Sequence, residues 1–130
     1  MASIGIDFDG TLVTHAYPDI GHDIGATQVL LDLVRAEHQL WIWTMRSGEM
    51  ALAALEWCRK EGIQVMGINV NVQQKIWTNS PKLFCNLYID DAALGCLLKT
   101  DPTISDRPFV DWDGIRKLLI EKGYLPSDRS

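Results

Sequence analysis

Ile4, Ile6 and Phe8 alternate with Ser3, Gly5, Asp7 and Asp9, a period of two that predicts a strand whose polar side ends in both acids. A loop rich in Gly, Pro, Asp and His follows over residues 11–22. Ile24, Val29, Leu30, Leu33 and Val34 then recur near helical spacing and predict a first helix over residues 23–37. The run "QLWIWT" at residues 39–44 reads as a buried strand, rich in aromatic and β-branched side chains. Ser47 can cap a second helix over residues 48–60, which stops at Gly62. A weaker strand is expected at residues 63–70 and a stronger one at residues 83–89. A closing helix spans residues 111–122, with Asp111 or Asp113 at its N-terminal end, Ile115, Leu118 and Leu119 as its apolar stripe and Gly123 as its stop.

Strands that alternate with helices imply right-handed crossovers and a mostly parallel sheet covered on both faces, a three-layer α/β/α Rossmann-like fold. In such a sheet ligands collect at the carboxyl ends of the strands. The unexpected polar residues Asp7, Asp9, Thr44, Asp90 and Asp91 all fall at those ends.

The chain has 130 residues, 47% of them hydrophobic, which suits one domain over residues 1–125 with a short polar tail at 126–130. The net charge of -5 argues against general nucleic-acid or anionic-membrane binding, though a phosphorylated nucleic-acid end stays open. Cys58, Cys85 and Cys96 are odd in number and lack metal-type spacing, so free thiols in a reducing cytoplasm are expected. No run approaches 18 apolar residues and no secretory signal opens the chain; no membrane association is expected.

Burying unpaired carboxylates costs several kcal/mol each, in order of magnitude, so four acids at two strand ends call for a cation. Hard oxygen ligands of this kind suit Mg²⁺. The pattern "DFDGT" after a first strand, "WTMR" after a second, a lysine, and "YIDD" closing a fourth resembles the haloacid dehalogenase superfamily of phosphotransferases, in that superfamily's order from Asp7 to Asp91.

That resemblance implies a role for each matching position. Asp7 would be the nucleophile that forms an aspartyl-phosphate, and Asp9 the general acid/base. Asp7, Asp9, Asp90 and Asp91 would hold Mg²⁺, Asp9 through its backbone carbonyl. Thr44 would hold a phosphoryl oxygen. Thr11 would fix the first loop and, with Met45 and Arg46, border the substrate, although a salt bridge is an equal alternative for Arg46. The superfamily's lysine corresponds to Lys82, with Lys75 as the alternative.

Outside these motifs, His15 and His22 are read as solvated loop residues, with substrate contact as the alternative. The tryptophans read as core or near-core packing, Trp77 being the one closest to the surface. Residues 9–44 and 70–82 leave no room for the cap domain of larger relatives. An open site is therefore expected, with residues 14–23 as a mobile flap and a neighbouring subunit as a possible lid. The expected activity is hydrolysis of phosphate monoesters by a Mg²⁺-dependent enzyme of unassigned substrate. A non-catalytic module that binds metal or a phosphorylated ligand is the alternative, and a phospho-aspartate receiver domain is disfavoured because its acids come in a different order.

Overall fold

The computed structural model describes residues 1–127, so residues 128–130 of the expected polar tail lie outside the described ones. A parallel sheet of four strands forms the centre, in the order β3-β2-β1-β4. Its strands are β1 (Ser3–Ile6), β2 (Gln39–Ile42), β3 (Gly67–Ile68) and β4 (Leu87–Ile89). Three helices accompany it: α1 (Ala26–Arg35), α2 (Gly48–Lys60) and α3 (Trp112–Glu121).

The order of the strands dictates which face each connection covers. Successive steps from β1 to β2 to β3 run in one direction across the sheet, so right-handed crossovers put α1 and α2 on one face. The step from β3 back past β2 and β1 to β4 runs the opposite way and brings its connection over the other face. The buried residues agree. Ile4, Ile6, Leu40 and Ile42 share one cluster with Val29, Leu30 and Leu33 of α1, Ala54 and Cys58 of α2, and Ile115 and Leu119 of α3. The opposite face is closed by a smaller cluster of Trp41, Leu83 and Cys85, with Trp43 and Tyr88 packed against it. Gly5 lies beneath that cluster, where an added Cβ would come within 3.0 Å of the Cys85 Sγ and 3.1 Å of the Tyr88 ring.

The predicted α/β class and parallel sheet are therefore present, and the third layer differs from expectation. It is a short 3₁₀ turn, Val72–Ile76, followed by irregular chain. Several elements are also shorter than their apolar runs suggest. α1 begins at Ala26 because the Asp23 side chain accepts hydrogen bonds from the Gly25 and Ala26 N–H groups, and it has ended before Glu37, whose φ is 71°. β4 begins only at Leu87. Before it, the Tyr88 hydroxyl donates to the Leu83 carbonyl and accepts from the Cys85 N–H, taking up groups a neighbouring strand would otherwise pair. β3 is confined to Gly67–Ile68, because Ile63 still closes the end of α2 through the Cys58 carbonyl. An antiparallel pair, β5 (Leu98–Lys99) with β6 (Phe109–Val110), has no counterpart in the sequence reading.

Cys58, Cys85 and Cys96 are free, as expected. Burial pushes the Cys58 thiol up to about 12 and the Cys85 thiol up to about 11, which keeps both protonated and unreactive. Trp77 is exposed, and Trp41 and Trp112 are buried. No helix among the described residues is long and apolar enough to cross a membrane.

Candidate functional site

The direction of chain progression reverses between β1 and β4, the place where open α/β sheets form a crevice beyond their carboxyl ends. Asp7 follows β1 there, and Asp90 and Asp91 follow β4. The Asp7 N–H extends the ladder by donating to the Ile89 carbonyl at 2.9 Å, which locks the two strand ends in register. As a result Asp7, Asp90 and Asp91 each present a carboxylate oxygen, all within 4.8 Å of one another.

Thr11 joins two of these acids. Its buried hydroxyl donates to Asp7 Oδ2 at 2.9 Å, with Asp91 Oδ1 as a second acceptor at 3.2 Å, and accepts from the Asp91 N–H. The hydroxyl is thus committed to orienting the acids, and the expectation that Thr11 borders substrate is corrected. Trp112, at the start of α3, donates from its indole N–H to the Thr11 carbonyl at 2.6 Å, and the Val110 N–H donates to the Gly10 carbonyl at 3.1 Å. Gly10, at φ 80°, has room for no side chain, since a Cβ would collide with the His15 imidazole and with Asp91.

Burial pushes Asp7 up to about 8; contact with Asp91 and the charge of Asp90 add to the effect, and bonds from Thr11 and the Phe8 backbone oppose it. Three half-buried carboxylates with oxygens this close together are a donor set fit for a hard divalent cation. The Asp9 carboxylate is outside this group, so only its backbone carbonyl, the contact expected of it, is left to face a cation there.

Asp9 is taken by Arg46. Arg46 is only 2% exposed, and its Nε and Nη2 donate to Asp9 Oδ2 and Oδ1 at 2.8 and 2.7 Å. The remaining donors reach the carbonyls of Pro18, Asp19 and Met50, so all five guanidinium N–H groups are engaged. Asp9 pushes the guanidinium further up from its ordinary value. Of the two roles open to Arg46 the structure has the salt bridge, and its expected contact with substrate is corrected on the same ground. The pair also ties down residues 14–23 through the Pro18 and Asp19 carbonyls.

Thr44 and the exposed Met45 stand beside Asp7 in two openings of about 380 and 360 Å³. Asn69, whose φ of 62° turns the chain after β3, accepts from the Thr44 N–H and donates to the Thr44 carbonyl, both at 2.8 Å. The Thr44 hydroxyl accepts from the Arg46 N–H at 3.1 Å.

The lysines are not brought to the acids. Lys82 is exposed with its Nζ 5.5 Å from the centre of the Tyr88 ring, and Lys75 lines a neighbouring cavity. Neither forms an ion pair with a carboxylate among the described residues. His15, read from the sequence as solvated, instead lies 3.2 Å from Asp91 Oδ2 and is 15% exposed. Asn69 was also not singled out; the signal was a polar residue at a strand end, as at Thr44.

No family model matches the sequence, and no curated protein matches it. Among solved structures, a conserved protein from Bacteroides thetaiotaomicron is 34% identical, with a TM-score of 0.76 over 93% of this chain and 91% of that one. The chain belongs to that protein's family. Membership extends the α/β fold to a second sequence.

Proposed function

We propose that the protein is a Mg²⁺-dependent phosphomonoester hydrolase of the haloacid dehalogenase type, working through an aspartyl-phosphate. The convergence of Asp7, Asp90 and Asp91 within 4.8 Å at the ends of β1 and β4, beside Thr44 and an open cavity, carries this reading. Asp7, Asp90, Asp91 and the Asp9 carbonyl would hold the cation, which when bound offsets their charge and polarises a phosphoryl oxygen.

Asp7 Oδ attacks phosphorus as the bond to the ester oxygen breaks, and Asp9 delivers a proton to that oxygen so that an alcohol leaves. Asp9 then takes a proton from water. The hydroxide attacks phosphorus, and phosphate departs with Asp7 restored. Thr44 steadies a phosphoryl oxygen through its hydroxyl, in a loop whose backbone Asn69 fixes. Proton delivery requires Asp9 to release one of its two bonds to Arg46 and take up a proton from solvent on the freed oxygen before the ester bond breaks.

Turnover of an aryl phosphate with Mg²⁺, abolished by chelation and by Asp7→Asn, is the expected result. Activity that survives Asp7→Asn in pure protein overturns the mechanism. A second reading is favoured by the same Asp9–Arg46 bond, which occupies both oxygens of the expected acid: a module that binds a metal or phosphorylated ligand without turning it over. Saturable binding of a phosphate ester with no release of phosphate over hours would establish it.

A further inference from the structure

The cavity beside Asp7 and Asp90 does not end at Val70 and Pro81. These two residues and Asn69 also wall a second cavity of about 350 Å³, which extends to Asn71, Gln74, Lys75, Asn79 and Ser80. The two openings therefore adjoin, with the acids lining one and the exposed Lys75 on the wall of the other.

The second cavity differs in character from the first. No Asp or Glu occurs between Glu61 and Asp90, so in a chain of net charge -5 this stretch carries only Lys75 and Lys82. Lys75 has no carboxylate partner among the described residues, and its cavity wall is otherwise amides, one hydroxyl and the apolar edges of Val70 and Pro81. The wall is also held in place. Gln74, 7% exposed, donates to the Ser80 and Lys82 carbonyls and accepts from the Phe84 N–H, bracing residues 80–84 against the 3₁₀ turn. The Gln74 side-chain hydrogen bonds all point into that loop, so the groups offered to a ligand are Lys75 with Asn71, Asn79 and the Ser80 hydroxyl around it.

We propose that this cavity is a leaving-group subsite, selecting phosphomonoesters whose other end is polar and carries a second anion, held by Lys75. The assignment rests on the phosphatase reading for its orientation, since the scissile phosphate would sit at the acids. An uncompensated ammonium beside amide donors favours an anionic, hydrogen-bonding group over an apolar one, which would strand those polar groups without partners. The acids at the near end repel any second anion placed there, so charge also fixes which way such a ligand lies.

The test compares fructose 6-phosphate with fructose 1,6-bisphosphate, binding being followed by amide chemical shifts of the labelled Asp7→Asn protein in Mg²⁺. The expected result is an affinity for the bisphosphate about fivefold higher, a ratio that falls to about one in Asp7→Asn/Lys75→Met, with shifts at residues 71–80 seen only for the bisphosphate. Equal affinities, no binding of either sugar, or a ratio unchanged by Lys75→Met overturns the subsite. Phosphate release by the unaltered chain is measured separately. Preference for the bisphosphate without release retains the subsite and removes the phosphatase reading.

Discussion

Arg46 holds both carboxylate oxygens of Asp9, at 2.8 and 2.7 Å, and reaches with its remaining N–H groups to the backbone of residues 18, 19 and 50. One side chain thereby ties the first loop, the flap and the first turn of α2. Replacing it with Met leaves Asp9 without its ion-pair partner and the Pro18 and Asp19 carbonyls without donors. A loss of about 3 kcal/mol in stability is expected, the lower end for a buried pair because Asp9 keeps some access to water. Limited proteolysis should then cut within residues 14–23 much faster than in the unaltered chain. An unchanged digestion pattern would remove Arg46 as the tether.

Asp7 makes metal-free stability depend on pH. The folded chain keeps this carboxyl protonated up to about 8, whereas the unfolded chain ionises it near 3.8. Between those values the folded state holds the extra proton, so stability is greatest at the acidic end and declines as pH rises from about 4 to 8. Calorimetry in chelator should show a lower unfolding temperature at pH 8 than at pH 5. Asp7→Asn should flatten that slope, and Mg²⁺ should raise the unfolding temperature most at pH 8. A metal-free protein that gains stability across this range contradicts the assignment.

Trp112 supports the acids from the far end of the sequence. Trp112→Phe retains the ring packing and removes the N–H that satisfies the buried Thr11 carbonyl. A cost of about 1–3 kcal/mol is expected, measurable by urea unfolding. Since Thr11 orients Asp7 and Asp91, Mg²⁺ affinity should fall in the same variant.

Asn69 separates backbone shape from hydrogen bonding. Asn69→Gly tolerates the left-handed φ but removes both bonds to Thr44, so stability should fall by about 1–3 kcal/mol while aryl phosphate turnover drops at least about tenfold. Asn69→Ala should lose stability as well. Equal activity in the glycine variant would show that Thr44 needs no such support.

The strand ends and their acids were legible because each feature is local: alternation marks β1, and Asp7, Asp9, Asp90 and Asp91 interrupt apolar runs. What escaped is long-range. A salt bridge is one of the two roles the sequence offers Arg46, yet nothing names Asp9, 37 residues back, as its partner, and nothing near His15 points to Asp91. The apolar run at residues 83–89 predicted a full strand, but Tyr88 satisfies the backbone before it, a competition invisible to periodicity. The missing helical layer follows from the same limit, since residues 70–86 cover that sheet face with Leu83 and Cys85, packed among Trp41, Trp43 and Tyr88, in place of a helix.

The bonds from Trp112 to Thr11 and from Val110 to Gly10 span about a hundred residues. A nascent polypeptide has Asp7 and Asp9 in hand long before it gains these two fastenings, which wait for residues 110–112. Bracing of the acidic pocket is thus deferred until α3 begins to emerge, so a product cut short before α3 carries Asp7, Asp9, Asp90 and Asp91 without the bonds that hold their loop in place.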